Sequence, residues 1–277
     1  DIARDVLKGK INAITYLPNG SASEVWRLSF EDQRCFIIKN AKVAHLAIEQ
    51  KTLAYLKQYS FLPLPSIYFY QDDLLILDDL GRHHPLNQQG ENQAGDLIAG
   101  LHSIQHHDYG FKWDTMIGCL LQPNGSFDHW VNFFIQQRLY FMADLAYRKS
   151  QISTSVRLKI DRLATKLDRW LVCDRGPCLL HGDLWTGNII GGEHYVKAFI
   201  DPAVYFGEPE FDLAYALFFN SFSNHFLDRY SEHFPISSDF HEARKSLYQL
   251  YPLLMHAYLY GGRYQAQIED ILKRFVD

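Results

Sequence analysis

His181-Gly182-Asp183-Leu184-Trp185-Thr186-Gly187-Asn188 is the stretch of this 277-residue chain on which the reading of the fold turns. A His, an Asp two residues later and an Asn five beyond that Asp have the spacing of a phosphoryl-transfer loop. The spacing has a mechanical reason. Transfer of a phosphoryl group needs a carboxylate to orient and deprotonate the attacking hydroxyl, and oxygen ligands to hold magnesium against nucleotide phosphates. Asp183 suits the first task. Downstream, Ile189 to Ile200 reads as a hairpin turning at Gly191-Gly192-Glu193-His194, where glycines supply the positive φ of a tight turn. Antiparallel pairing sets the residue before the first strand beside the residue after the last. These are Asn188 and Asp201, the hard oxygen donors that magnesium prefers. Taken singly, the pieces are a loop turn, a hairpin cap and an approach to a helix; together their spacing and order point to one site.

Working upstream, Val43 to Gln58 reads as an amphipathic helix with Leu46, Glu49, Leu53 and Leu56 on one stripe. A carboxylate on an apolar stripe calls for a cation, and Lys39, at the end of the apolar run Cys35 to Ile38, is the candidate. A Lys held by a Glu and aimed at nucleotide phosphates is what phosphoryl transfer requires. Ile11 to Leu17, Glu24 to Phe30 and Arg34 to Lys39 read as an antiparallel meander, with Ser66 to Tyr70 and Leu74 to Leu77 as further strands. The first turn, with Asn19, Gly20 and Ser21, is expected to cover the phosphates through backbone N–H groups, although no G-x-G-x-x-G or Walker A pattern stands there. Beyond Gly81, helices are expected near Glu91–Ile104, Phe127–Tyr147, Thr154–Val172, Glu210–Asn220, Asp239–Tyr260 and Gln265–Phe275. The fold class is thus α+β, with a small antiparallel sheet lobe and a larger mainly helical lobe. Residues 1–80 form a β-rich nucleotide-binding lobe and residues 81–277 a helical lobe carrying the catalytic loop, with the base under Asp78-Asp79-Leu80.

Composition excludes other classes. The chain is 47% apolar and 15% aromatic with a net charge of −5, a globular make-up without the basic cluster that nucleic acid demands. Its longest apolar stretches fall short of the ~20 residues of a membrane span, and the acidic start does not suit a signal peptide. Asp1 is no initiator, so residues are expected to precede it. Four cysteines without a C-x-x-C pair argue against a zinc ribbon and for a reducing cytoplasm. His102 and His106 lack the Glu of a zinc-hydrolase motif and read as surface or helix-end residues, and His83-His84 and His106-His107 as loop residues.

The motifs together resemble the fructosamine kinase family, small-molecule kinases of protein-kinase-like fold related to aminoglycoside and choline kinases. The likeness spans nearly the whole chain. It rests on Leu180 to Asn188, on Asp201-Pro202-Ala203 through Ala214, on Gly118-Cys119 to Gln122-Pro123-Asn124, on Trp130 to Phe134, on Gln137-Arg138-Leu139 and on Leu247 to Leu250. The resemblance implies ATP- and Mg2+-dependent phosphorylation of the 3-hydroxyl of a ketoamine such as a fructosamine, ribulosamine or erythrulosamine, a step in protein deglycation. It implies Asp183 as base, Asn188 and Asp201 as metal ligands, and Lys39 with Glu49 as the phosphate-binding pair, while Asp212 braces the loop. Ser21 stands where some members carry a disulfide-forming cysteine, so that redox control is not expected.

Two residues are singled out for the acceptor. Trp185 could stack on the sugar or its protonated amine, with core packing as the alternative, and His256 on the aromatic C-terminal helix could approach the same pocket. Glu208 and Glu210 could attract a cationic adduct or simply be solvated at a helix N-terminus. Competing functions are a kinase of aminoglycosides, choline or a sugar, and a pseudokinase, against which Lys39, Asp183, Asn188 and Asp201 all speak. A protein kinase is disfavoured because too few residues separate Asp201 from Asp212 for an activation segment.

Overall fold

The computed structural model describes residues 2–18, 23–172 and 175–276. A short helix α1 (Ile2–Leu7) precedes β1 (Ile11–Leu17), β2 (Glu24–Phe30) and β3 (Cys35–Asn40); α2 (Val43–Tyr59), β4 (Ile67–Gln71) and β5 (Leu74–Asp78) follow. All neighbouring strands pair antiparallel in the order β1-β2-β3-β5-β4. β5 is apolar without alternation because both its faces are covered. Ile76 joins Leu7, Leu28, Phe30 and Phe36 on one side, and Leu75 and Leu77 join Leu46 and Leu53 of α2 on the other. The expected stripe of α2 is the buried one, Glu49 included.

The remainder begins with α3 (Gln88–His102), capped by Asn87, whose side chain accepts from the Gly90 N–H at 3.0 Å. Then come β6 (Tyr109–Phe111), β7 (Thr115–Ile117), β8 (Leu120–Gln122) and β9 (Gly125–Phe127), followed by α4 (Trp130–Phe133), a π-helical stretch Phe134–Tyr140 and α5 (Phe141–Arg148). Next are α6 (Thr154–Ala164), β10 (Cys178–Leu180), β11 (Ile189–Gly191), β12 (Val196–Phe199), β13 (Tyr205–Gly207), α7 (Pro209–Ala216), α8 (Asn224–His233), α9 (Lys245–Tyr260) and α10 (Gln265–Val276). β10, β13, β6 and β9 make a second sheet within the helical region. Each of its strands is three residues long, too short for a two-residue period to register, and the sequence reading missed them. It also missed α8, where only Phe226 and Tyr230 are buried. The expected helix Thr154–Val172 stops at Ala164 and gives way to a 3-10 turn, Leu167–Arg169, and Phe127 belongs to β9 instead of a helix.

Helix α2 is gripped from the helical side. β7 packs against it, the Lys51 ammonium lies 4.1 Å over the Trp113 ring, and Tyr55 meets Phe111 and Trp113 edge-on. Such contacts fix the helix that carries Glu49. Among the described residues no helix is long and apolar enough to cross a membrane.

Candidate active site

The loop between β10 and β11 is pinned by one carboxylate. Asp212, fully buried near the start of α7, accepts from the His181 N–H at 2.7 Å and the Gly182 N–H at 2.9 Å. Gly182 sits at φ +81°, and a Cβ there would lie 2.1 Å from the Ala203 carbonyl oxygen, so only glycine fits. The Ala203 N–H in turn donates to His181 O at 2.8 Å. The sequence reading placed His102 at the surface or a helix end. It does end α3, yet it is buried, with Nε2 3.2 Å from Asp212 and Nδ1 2.9 Å from the Tyr230 hydroxyl. His83, His84, His106 and His107 are exposed, as expected.

The β11–β12 hairpin does what its sequence demands. Ile189 pairs with Phe199, and the Ile200 N–H donates to Asn188 O at 2.9 Å, which closes the ladder at Asn188 and Asp201. Asp201 holds a left-handed φ of +51°, a conformation that Asp tolerates better than most residues and that marks functional positions. Asn188 Nδ2 donates to both Asp183 O and Asp183 Oδ2, each at 2.9 Å. Amide planarity then turns its Oδ1 away from Asp183, toward the cavity that Asn188 lines. Tyr215 on α7 donates a hydrogen bond to the Asp183 carboxylate. Burial pushes Asp183 up to about 6; the bonds from Tyr215 and Asn188 oppose the rise, and the nearby charges of Asp201 and Asp212 add to it.

Lys39 is buried between two carboxylates, with its Nζ 2.6 Å from Glu49 Oε1 and hydrogen-bonded to Asp201. Burial alone would lower the ammonium pKa, but Asp201 and Glu49 outweigh it and the net shift is upward. Asp201 is likewise pushed up by burial and drawn further down by Lys39. One cation shared by two acids, with Asp183 nearby, leaves an anionic cluster with an appetite for positive charge. Among the described residues no group of three or more His, Cys, Asp or Glu could hold a metal. Two oxygen donors, Asn188 and Asp201, nonetheless suit magnesium, which keeps most of its waters and takes phosphate oxygens.

Two cavities share this cluster. One, of about 330 Å³, is lined by Lys39, Glu49, Asp183, Trp185, Asn188, Asp201 and His256, so it gathers the expected base, ion pair, metal ligands and acceptor residues. The other, of about 400 Å³, is lined by Asp78, Asp79 and Leu80 together with Leu17, Val25, Ile37, Ile190 and Ile200. Asn19, Gly20 and Ser21 lie outside the described residues. Sequence reasoning missed Tyr215, Phe219 and the Met116–Cys119 hairpin as cavity walls; the β7–β8 turn carried a signal in Gly118, but nothing in it pointed to the site. Glu208 and Glu210 face elsewhere. Glu208 is buried and accepts from the Tyr109 hydroxyl at 2.7 Å, and Glu210 pairs with Arg244, so neither attracts a ligand to this cavity nor is simply solvated.

His256 Nδ1 lies 2.7 Å from Pro252 O, so Nδ1 bears the proton and Nε2 is an acceptor. Burial lowers its pKa, with Arg263 adding to the effect and the bond to Pro252 opposing it.

Known proteins resemble this chain over most of its length. A family model described as fructosamine kinase matches residues 2–277. A probable ketoamine kinase of Enterococcus faecium is 27% identical over 97% of this chain and 96% of its own length. One of Synechocystis is 34% identical over 70% of this chain and 63% of its own. The crystal structure of a candidate fructosamine-3-kinase from Thermobifida fusca superposes with a TM-score of 0.86 at 23% identity, covering 98% of this chain and 96% of that one. Aminoglycoside phosphotransferase APH(4)-Ia, as a mutant in ternary complex with AMP-PNP and hygromycin B, shares the fold at a TM-score of 0.63 and 16% identity, over 96% of this chain and 95% of that one. The chain therefore belongs to the fructosamine kinase family and is a phosphotransferase with a hydroxyl group as acceptor.

Proposed function

We propose that the enzyme transfers the γ-phosphoryl group of ATP to the 3-hydroxyl of a ketoamine, a sugar adduct of an amine, in a deglycation pathway. In this reading residues 1–80 are the nucleotide lobe and residues 81–277 the catalytic and acceptor lobe. The base lies against Asp78, Asp79 and Leu80, and the turn Asn19–Ser21 is assigned to the phosphate cover from sequence. Lys39, held by Glu49, meets the α and β phosphates. The acceptor oxygen forms its bond to the γ-phosphorus as the bond to the ADP oxygen breaks, and its proton passes to Asp183. Asn188 and Asp201 would hold Mg2+, which when bound supplies charge neutralisation on the β and γ phosphates. The free thiols Cys35, Cys119 and Cys178 support a place in the reducing cytoplasm.

The observation that carries the reading is the common cavity of Lys39, Asp183, Asn188 and Asp201, which Trp185, Phe219, His256 and Tyr260 also line. Ring faces suit a sugar and a protonated secondary amine, and His256 Nε2 offers an acceptor for a hydroxyl. The test is nucleotide consumption with ribulose-, erythrulose- and fructose-lysine beside choline and aminoglycosides. Turnover with ketoamines is the expected result; turnover confined to choline or aminoglycosides would reject the acceptor class.

A further inference from the structure

Gly118 to Asn124, Trp130 to Phe134 and Gln137-Arg138-Leu139 have no part in the chemistry above, yet they converge in the fold. Thr115, Gln122, Asn124 and Arg138 are all fully buried around the base of the β7–β8 hairpin. Arg138 donates to Pro123 O and to Asn124 Oδ1, each at 2.7 Å. Its guanidinium lies 4.0 Å from the centre of the Tyr205 ring and 4.6 Å from that of Phe133, and among the described residues no carboxylate pairs with it. Asn124 Nδ2 donates to Trp113 O and to Thr115 Oγ1. Gln122 uses its whole amide: Nε2 donates to Thr115 Oγ1 and to Ala203 O, each at 2.9 Å, and Oε1 accepts from the Tyr251 hydroxyl at 2.8 Å.

Four buried polar side chains are a costly way to anchor a short hairpin, where apolar packing would serve stability as well. Among the described residues Arg138 Nε has no hydrogen-bond partner, but the amides of Gln122 and Asn124 are bonded through both nitrogen and oxygen, and such directional bonds restrict geometry in a way that packing does not. What it fixes is informative. The tip of the hairpin, Met116 to Cys119, is a wall of the acceptor cavity. At the other end of the network, Ala203 O is the atom against which Gly182 is packed, and Ala203 N–H holds His181 O. A single residue, Ala203, thus separates Gln122 from the loop that carries Asp183.

We propose that Gln122 is a positioning residue that sets the Met116–Cys119 wall against the catalytic loop, and so fixes where the acceptor hydroxyl stands relative to Asp183, with Arg138 and Asn124 holding the hairpin base in register. The kinetic half rests on the ketoamine reading; the mechanical half does not. Gln122→Met keeps length and volume and removes every bond. The ketoamine KM then rises tenfold or more, while the ATP KM and the acceptor-independent hydrolysis of ATP stay within twofold. Amide hydrogen exchange quickens in Met116–Cys119 and His181–Asp183 together, and not in Asp78–Leu80.

Both KM values rising together, or exchange quickening in the hairpin alone, would overturn the proposal. Should Gln122→Met fail to fold, Tyr251→Phe removes one bond to Oε1 and keeps the ring. It is expected to raise the ketoamine KM about threefold with exchange changed in the same two segments, and an unchanged KM and exchange would also overturn it. If no ketoamine is turned over by the wild-type enzyme, the functional reading fails, and the paired exchange response still decides the mechanical half.

Discussion

The two cavities meet at Lys39, Glu49 and Asp201, but their walls have little else in common. The side proposed for the nucleotide is a slot of aliphatic side chains from the sheet and the β11–β12 hairpin, Val25, Ile37, Leu77, Ile190 and Ile200 among them. The side proposed for the acceptor includes rings and titratable groups, Trp185, Tyr215, Phe219, His256 and Tyr260, carried by loops and helices of the larger region. A flat base asks for thin apolar faces and backbone polar groups at one edge, and aliphatic strands supply both. A polyol bearing an amine asks for ring faces and acceptors in defined places. The shared ionic cluster is where the two demands meet, since the transferred group must be held by one cavity and received by the other.

Substitutions in and beside the shared cluster are expected to have the largest effects. Asp183→Asn removes the base and should lower kcat by about 10²–10⁴-fold, with ATP affinity by calorimetry within threefold; a variant retaining a tenth of wild-type turnover would contradict Asp183 as base. Lys39→Met removes the phosphate donor and should cost about 10²–10³-fold in kcat/KM for ATP. The next effects are smaller and separate the two cavities. Trp185→Leu should raise the ketoamine KM about tenfold, the worth of one ring contact of about 1–2 kcal/mol, and leave the ATP KM alone. Ile200→Ala should do the reverse. Steady-state kinetics of both variants decide the matter, and parallel changes in both KM values would mean that the cavities are not independent.

Legibility in the sequence follows the same division. The catalytic loop and its hairpin could be read because their chemistry is local: Asp183 and Asn188 are five residues apart, and a turn of glycines dictates that Asp201 returns beside Asn188. Glu49 and Lys39 could be read because a carboxylate on an apolar stripe is an anomaly that only a partner resolves. The acceptor wall could not. Met116–Cys119 spans the end of one three-residue strand and the turn after it, Phe219 follows α7 in an otherwise ordinary apolar run, and Tyr215 looks like any buried aromatic until its hydroxyl is found on Asp183. His102 was legible only in its place at a helix end. At a helix end it fits a surface residue, and only the fold brings Asp212 and Tyr230 to its two nitrogens.

The smallest expected effect concerns the cost of holding Asp183 where it works. Its folded pKa of about 6 stands above the ordinary aspartate value of 3.8, so between these values the folded state binds the proton that the unfolded chain has released. Stability therefore falls as pH rises from about 4 through about 6, and above that range the ionised carboxylate carries its full penalty. Two pKa units correspond to at most ~3 kcal/mol, and because Asp183 faces the cavity, water there should reduce the penalty to about 1 kcal/mol. Asp183→Asn, inactive as it is, should then be the more stable protein by that margin at pH 8 in denaturant unfolding, with the gap closing by pH 4. An equal gap at both pH values would assign the gain to packing instead of ionisation. The predicted pattern makes chemical sense: the burial that weakens the fold also makes Asp183 a stronger base than a solvated aspartate, while keeping it ionised at neutral pH.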